Sequence, residues 1–115
     1  MNGWIGVDLD GTLAHYEGWK GADNIGPPVQ KMLERVKAWL AQGREVRIFT
    51  ARVSRGPYRD EAVRQIKQWL LQHGLPDLEV TNEKDYGMVE LWDDRCVQVQ
   101  ANTGDPVSEF WRHTQ

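Results

Sequence analysis

The sequence predicts a single-domain α/β fold spanning residues 1–115, with three layers arranged around a parallel sheet of about five strands. Three observations carry that expectation. Short apolar runs alternate along the chain with two segments of helical periodicity, the pattern of strand–crossover–strand units. Nearly every apolar run ends in polar or charged residues. The length of 115 residues suits one domain, which buries about two-thirds of its unfolded surface and needs no disulfide or metal staple.

The first element is the apolar run Trp4-Ile5-Gly6-Val7, which opens into Asp8-Leu9-Asp10-Gly11-Thr12-Leu13, as a buried strand does when it ends in a turn. Side chains alternate along a strand, so Asp8 and Asp10 share one face while Leu9 packs behind them. Gly11 permits a sharp turn. The N–H groups from Leu9 to Thr12 are then placed to line a phosphate, which makes Gly11 and Thr12 candidate substrate-binding positions. Residues 14–28 are rich in glycine and proline, show no period and read as a loop overhanging this turn, with Tyr16, Trp19 and Lys20 as candidates for substrate contact. Pro27 and Pro28 suit a helix start. Val29, Met32, Leu33, Val36, Trp39 and Leu40 then recur at three- and four-residue spacing as far as Gly43.

Glu45-Val46-Arg47-Ile48-Phe49 alternates polar with apolar residues and places Thr50 at the end of a second strand. After a loop at 53–57, Ala62, Val63, Ile66, Trp69 and Leu70 mark a second amphipathic helix closed by Gly74 and Pro76. His73, in its last turn, reads as a favourable terminal charge rather than a ligand. Leu78 to Thr81 is a third strand and Asn82 to Gly87 a polar connection containing Lys84. Met88 to Trp92 is a fourth strand that runs straight into Asp93 and Asp94, two carboxylates that make poor sense there without a cation. Val97 and Val99 alternate with Gln98 and Gln100 as a fifth strand would, and residues 105–111 read as one or two helical turns.

Composition narrows the function classes. Hydrophobic residues are 40% and charged residues 27% of the chain, as in soluble globular proteins, and no apolar stretch approaches the roughly 18 residues that span a bilayer. No basic start with a cleavable apolar run is visible. The single cysteine, Cys96, excludes an internal disulfide and a cysteine-based zinc cluster, fits a reducing cytoplasm and reads as a small buried hydrophobe. A net charge of −3 gives no global attraction to nucleic acid, although Arg52, Arg55 and Arg59 form a local basic cluster.

Parallel sheets bind ligands beyond the carboxyl ends of their strands. Asp8, Asp10, Thr50, Lys84, Asp93 and Asp94 all fall at such ends, which predicts one site. On these residues the sequence resembles the haloacid dehalogenase (HAD) superfamily of phosphoryl-transfer enzymes. Asp8-Leu9-Asp10-Gly11-Thr12 is similar to the superfamily's first motif, Phe49-Thr50 to its second, Lys84 to its third and Leu91-Trp92-Asp93-Asp94 to its acidic fourth, in that order. Within the superfamily, Thr50-Ala51-Arg52 and Asp93-Asp94-Arg95 resemble motifs of the phosphatase domain of polynucleotide kinase-phosphatases.

The resemblance implies a Rossmann-like, HAD-like fold and a magnesium-dependent phosphomonoester hydrolase. It implies Asp8 as the nucleophile that forms an aspartyl-phosphate, and Asp10 as the acid and then base of the two half-reactions. Mg²⁺ would be held through Asp8, the Asp10 carbonyl and one or both of Asp93 and Asp94, an all-oxygen set that favours magnesium over zinc. Thr50 would bind phosphoryl oxygens and Lys84 would neutralise their charge. Arg52 is the alternative to Lys84, because the connection 82–87 is too short for the helix usually found there.

No inserted cap follows Asp10 or Thr50, so an open site is expected. With Arg52, Arg55 and Arg59 beside it, the likeness to the polynucleotide phosphatase domain implies a nucleotide or a 3′-phosphorylated nucleic-acid end as substrate, with a small sugar or metabolite phosphate as the alternative. Phosphoaspartate receiver domains use similar residue types but carry their acidic pair on the first strand, whereas here it comes last. An inactive phosphate-binding module is the remaining alternative.

Overall fold

The computed structural model describes residues 2–108. Four parallel strands, β1 (Trp4–Val7), β2 (Glu45–Phe49), β3 (Val80–Thr81) and β4 (Met88–Trp92), form one sheet in the order β3-β2-β1-β4. Helix α1 (Gln30–Ala41) connects β1 to β2, and α2 (Arg59–Gln72) connects β2 to β3. Both helices end as their sequences predict. Gly43 and Gly74 each adopt φ +79°, and the following N–H groups, of Arg44 and Leu75, reach back to Trp39 O and Leu70 O at 2.9 Å, closing the last turn through a left-handed glycine.

Both helices lie on the same face of the sheet. One core cluster joins Ile5, Val7, Val46, Ile48 and Val80 of the strands to Met32, Leu33 and Val36 of α1 and to Ile66, Trp69 and Leu70 of α2. Trp39 and Trp92, with ring centroids 5.2 Å apart, extend this packing to the β4 edge. The opposite face carries Trp4 and Arg47, whose guanidinium stacks 4.4 Å from the Trp4 ring. The 82–87 connection anchors there through Asp85, which accepts from Trp4 Nε1 at 2.8 Å and lies 3.5 Å from Arg47 Nη1. An extended chain gains ~3.3 Å per residue, so six residues suffice for this return without a helix.

The expected third helical layer is therefore replaced by an irregular strap on the Trp4 face. The expected fifth strand is absent among the described residues. Val97 and Val99 are exposed because the chain folds back on itself beyond β4: Val107 N–H donates to Gln98 O and Gln100 N–H to Asp105 O, each at 2.8 Å, and Val99 pairs with Pro106. Residues 105–108 are not helical, and the rest of the expected terminal turn lies outside the described residues. Cys96 is exposed rather than buried, since it sits in this excursion and not in the sheet. No helix among the described residues is long and apolar enough to cross a membrane.

Candidate functional site

Strand pairing carries the acidic residues to one place. Asp8 N–H donates to Trp92 O at 2.9 Å, continuing the β1–β4 ladder by one residue and setting Asp8 beside Asp93. On the other flank, Thr50 N–H donates to Thr81 O at 2.9 Å, which brings Thr50 and Asn82 to the same sheet end. Asp8, Asp10, Thr50, Arg52, Asn82, Asp93, Asp94 and Arg95 line an open cleft of about 660 Å³ beyond the carboxyl ends of the strands, together with Tyr16 and Trp19 of loop 14–28.

The carboxylates are crowded. Asp8, Asp93 and Asp94 each offer an oxygen within 4.8 Å of the others. Burial, and then the charge of Asp93, push the Asp8 carboxyl up from 3.8 to about 7, because ionising it removes a charge from water and adds it beside another of the same sign. Asp94 is held by the first turn: Thr12 Oγ1 donates to Asp94 Oδ1 and accepts from Asp94 N–H, both at 3.1 Å. Gly11, at φ +88°, lies against that carboxylate, and a Cβ there would stand 2.5 Å from Asp94 Oδ2. Asp93 is fixed by Arg95 N–H at 2.8 Å.

Gly11 and Thr12 thus support Asp94 instead of lining the cleft. Two N–H groups of the expected cradle are used inside the turn: Gly11 N–H donates to Ala14 O at 2.8 Å and Thr12 N–H to Leu9 O at 3.3 Å.

Loop 14–28 forms an anchored flap. At its base His15 N–H donates to Pro27 O at 2.8 Å and Val29 N–H to Leu13 O at 2.7 Å, and Trp69 Nε1 donates to Gly26 O at 3.0 Å. Arg52 ties down its tip. Its Nε and Nη2 grip both oxygens of Asp10 at 2.7 and 2.9 Å, while Nη1 donates to Ala22 O and Nη2 to Asn24 O at 3.1 and 3.0 Å. The guanidinium also stacks 4.8 Å from the Trp19 ring. With its side chain 5% exposed, Arg52 positions Asp10 and the flap, and little of it remains for a substrate phosphate. A smaller cavity of about 400 Å³ adjoins the cleft, sharing Asp10 and Tyr16 with it and adding Lys20 and Asn24.

Thr50 is 3% exposed, and its Oγ1 accepts from Arg52 N–H at 3.2 Å; its own O–H is not used in that bond and is available to donate into the cleft. Lys84 does not line the cleft. It is exposed on the strap beside Asp85, because that connection returns at once across the Trp4 face. Arg55 and Arg59 are not cleft residues either, and Arg59 Nη1 donates to Val53 O. Asn82 and Arg95 are cleft residues to which the sequence reading gave no role in the site, although Arg95 belongs to the Asp93-Asp94-Arg95 motif. The strand-end rule points to Asn82, which directly follows β3, and Arg95 stands next to the acidic pair.

No family model matches the chain, and no curated protein does. Among solved structures, a conserved protein from Bacteroides thetaiotaomicron is similar, with TM-score 0.58 and 21% identity over 84% of this chain and 79% of that one, a likeness of fold.

Proposed function

We propose that this protein is a HAD-like, magnesium-dependent phosphomonoester hydrolase acting through Asp8. One observation carries the reading: Asp8, Asp93 and Asp94 converge within 4.8 Å at a sheet end whose cleft also holds Asp10 and Thr50. A hard divalent cation fits this donor set, since all three groups offer carboxylate oxygen and each worsens the ionisation of its neighbour in the cation's absence. Asp8, Asp93 and Asp94 would hold Mg²⁺, with the Asp10 carbonyl as a further ligand; the bound ion would supply the charge neutralisation that a carboxylate needs near a phosphate dianion.

In the first half-reaction an Asp8 oxygen forms a bond to phosphorus while the bond from phosphorus to the leaving oxygen breaks, and Asp10 gives that oxygen its proton. In the second, Asp10 takes a proton from water as the water oxygen bonds to phosphorus and the Asp8–phosphorus link breaks. Inorganic phosphate leaves, and both aspartates are restored. Both Asp10 oxygens accept from Arg52, so proton delivery from Asp10 is coupled to loosening one of those bonds. Thr50 O–H binds a phosphoryl oxygen. Charge on the other phosphoryl oxygens falls to Arg95, the cleft cation not engaged with Asp10, with Lys84 outside that role.

The test is phosphate release from a panel of phosphomonoesters, with and without Mg²⁺. Release that requires Mg²⁺ and vanishes in Asp8→Asn supports the reading, and release that survives excess chelator or the substitution overturns it.

A further inference from the structure

We propose that Tyr16 and Trp19 form a stacking subsite for a flat heteroaromatic ring, and that the substrate is a mononucleotide; this rests on the phosphomonoesterase reading above. The direction of attack fixes where the leaving group goes. A nucleophile and its leaving group lie on opposite sides of phosphorus. Asp8 lines the larger cleft and not the adjoining cavity, whereas Asp10, which serves the leaving oxygen, lines both. The leaving group therefore extends past Asp10 toward the flap, and Tyr16 is the other residue common to both concavities.

Trp19 is prepared to receive a ring. It is 60% exposed, yet it stacks on the guanidinium of Arg52, which is itself fixed by four hydrogen bonds to Asp10 and the flap backbone. An aromatic ring braced on one side and open on the other stacks a ligand with little loss of side-chain freedom. Lys20, Asn24 and Glu17 in the adjoining cavity offer donors and acceptors for the polar edge of a nucleobase, which an aliphatic sugar alcohol would leave unused.

Charge favours one nucleotide over a nucleic-acid end. Arg52 is engaged, Arg59 bonds Val53 O and Arg55 does not line the cleft, so further backbone phosphates find no prepared row of cations. The chain's net charge of −3 opposes them as well.

The experiment is calorimetric titration of the Asp8→Asn protein in Mg²⁺ with adenosine 5′-monophosphate, adenosine 3′-monophosphate and ribose 5-phosphate, in parallel with phosphate release by the unsubstituted protein. At least one adenosine monophosphate should bind ~10-fold or more tighter than ribose 5-phosphate, the scale of one base–aromatic stack. Trp19→Ala should erase most of that ratio and Trp19→Phe should keep most of it, with Tyr16→Ala intermediate. Equal binding of nucleotides and ribose 5-phosphate, or a ratio unmoved by Trp19→Ala, overturns the subsite. Ring-dependent binding without phosphate release from any ester leaves the subsite standing and overturns the hydrolase reading instead. A phosphorylated oligonucleotide that binds tighter than the mononucleotide, with a steep salt dependence, overturns the assignment to a mononucleotide.

Discussion

Removing the charge of Asp93 gives a direct physical test of the acidic cluster without any substrate. The Asp8 carboxyl is raised from 3.8 to about 7, first by burial and then by Asp93. A carboxyl raised in the folded state binds its proton more tightly there than in the unfolded chain, so stability falls as pH rises between those two values. Below the lower value both states are protonated and nothing is lost; above the upper one the penalty is complete. The rise from 3.8 to about 7 corresponds to at most ~4 kcal/mol, and the solvent reaching a partly accessible cleft reduces this to ~2 kcal/mol. Part of that penalty is already present at pH 5, so urea unfolding in chelator should show the protein more stable at pH 5 than at pH 8 by ~1 kcal/mol. Asp85 does not confuse the comparison: the Trp4 Nε1 bond lowers its carboxyl below 3.8, so the stability it contributes is lost only as pH falls further, outside this window. Asp93→Asn removes the second cause and leaves the larger one, burial, and should shrink the pH 5 to pH 8 difference by less than half. Equal stability at the two pH values, or an unchanged difference in Asp93→Asn, would refute the reasoning.

Three further predictions concern the supports of the site. Arg52→Ala strands the Asp10 carboxylate and frees the flap tip, so unfolding should lose ~2–3 kcal/mol and limited proteolysis should cut within residues 16–25; a flap as resistant as in the parent would contradict the latch role. Thr12→Val removes the hydroxyl that holds Asp94 and should weaken Mg²⁺ binding by ~10-fold, read by calorimetry, with unchanged affinity counting against it. Arg95→Ala should lower kcat by ~10²-fold or more, whereas Lys84→Ala should stay within about threefold; the reverse order would return the charge-neutralising role to Lys84.

The four strands and two helices were legible because each rests on local chemistry: the period of Met32, Leu33 and Val36, the glycine stops at 43 and 74, and the abrupt end of apolar runs at Asp8 and Asp93. What escaped were features set by long-range geometry. Val97 and Val99 carry strand periodicity, but a turn through Asn102, at φ +66°, folds that segment onto itself, and alternation alone does not say which partner a strand takes. Arg52 looked like a phosphate ligand by position, whereas its closest anion is Asp10, 42 residues earlier in the chain. Thr12 and Gly11 looked like a phosphate cradle and instead brace Asp94, 82 residues beyond Thr12. Both partnerships form only once β1, β2 and β4 are aligned. The role of Tyr16 and Trp19 was half visible: the loop placed them near the site, and the stacking on Arg52 that fixes Trp19 is tertiary.

The most direct measurement of the central claim is acid quenching of the protein during turnover of a ³²P-labelled phosphomonoester in Mg²⁺, followed by peptide mapping. The account predicts an acid-stable, base-labile label on the peptide containing Asp8, absent in Asp8→Asn and, with an aryl phosphate whose leaving group needs no proton, accumulating in Asp10→Asn as the second half-reaction slows. Turnover without any labelled protein, or a label carried by a residue other than Asp8, would contradict it.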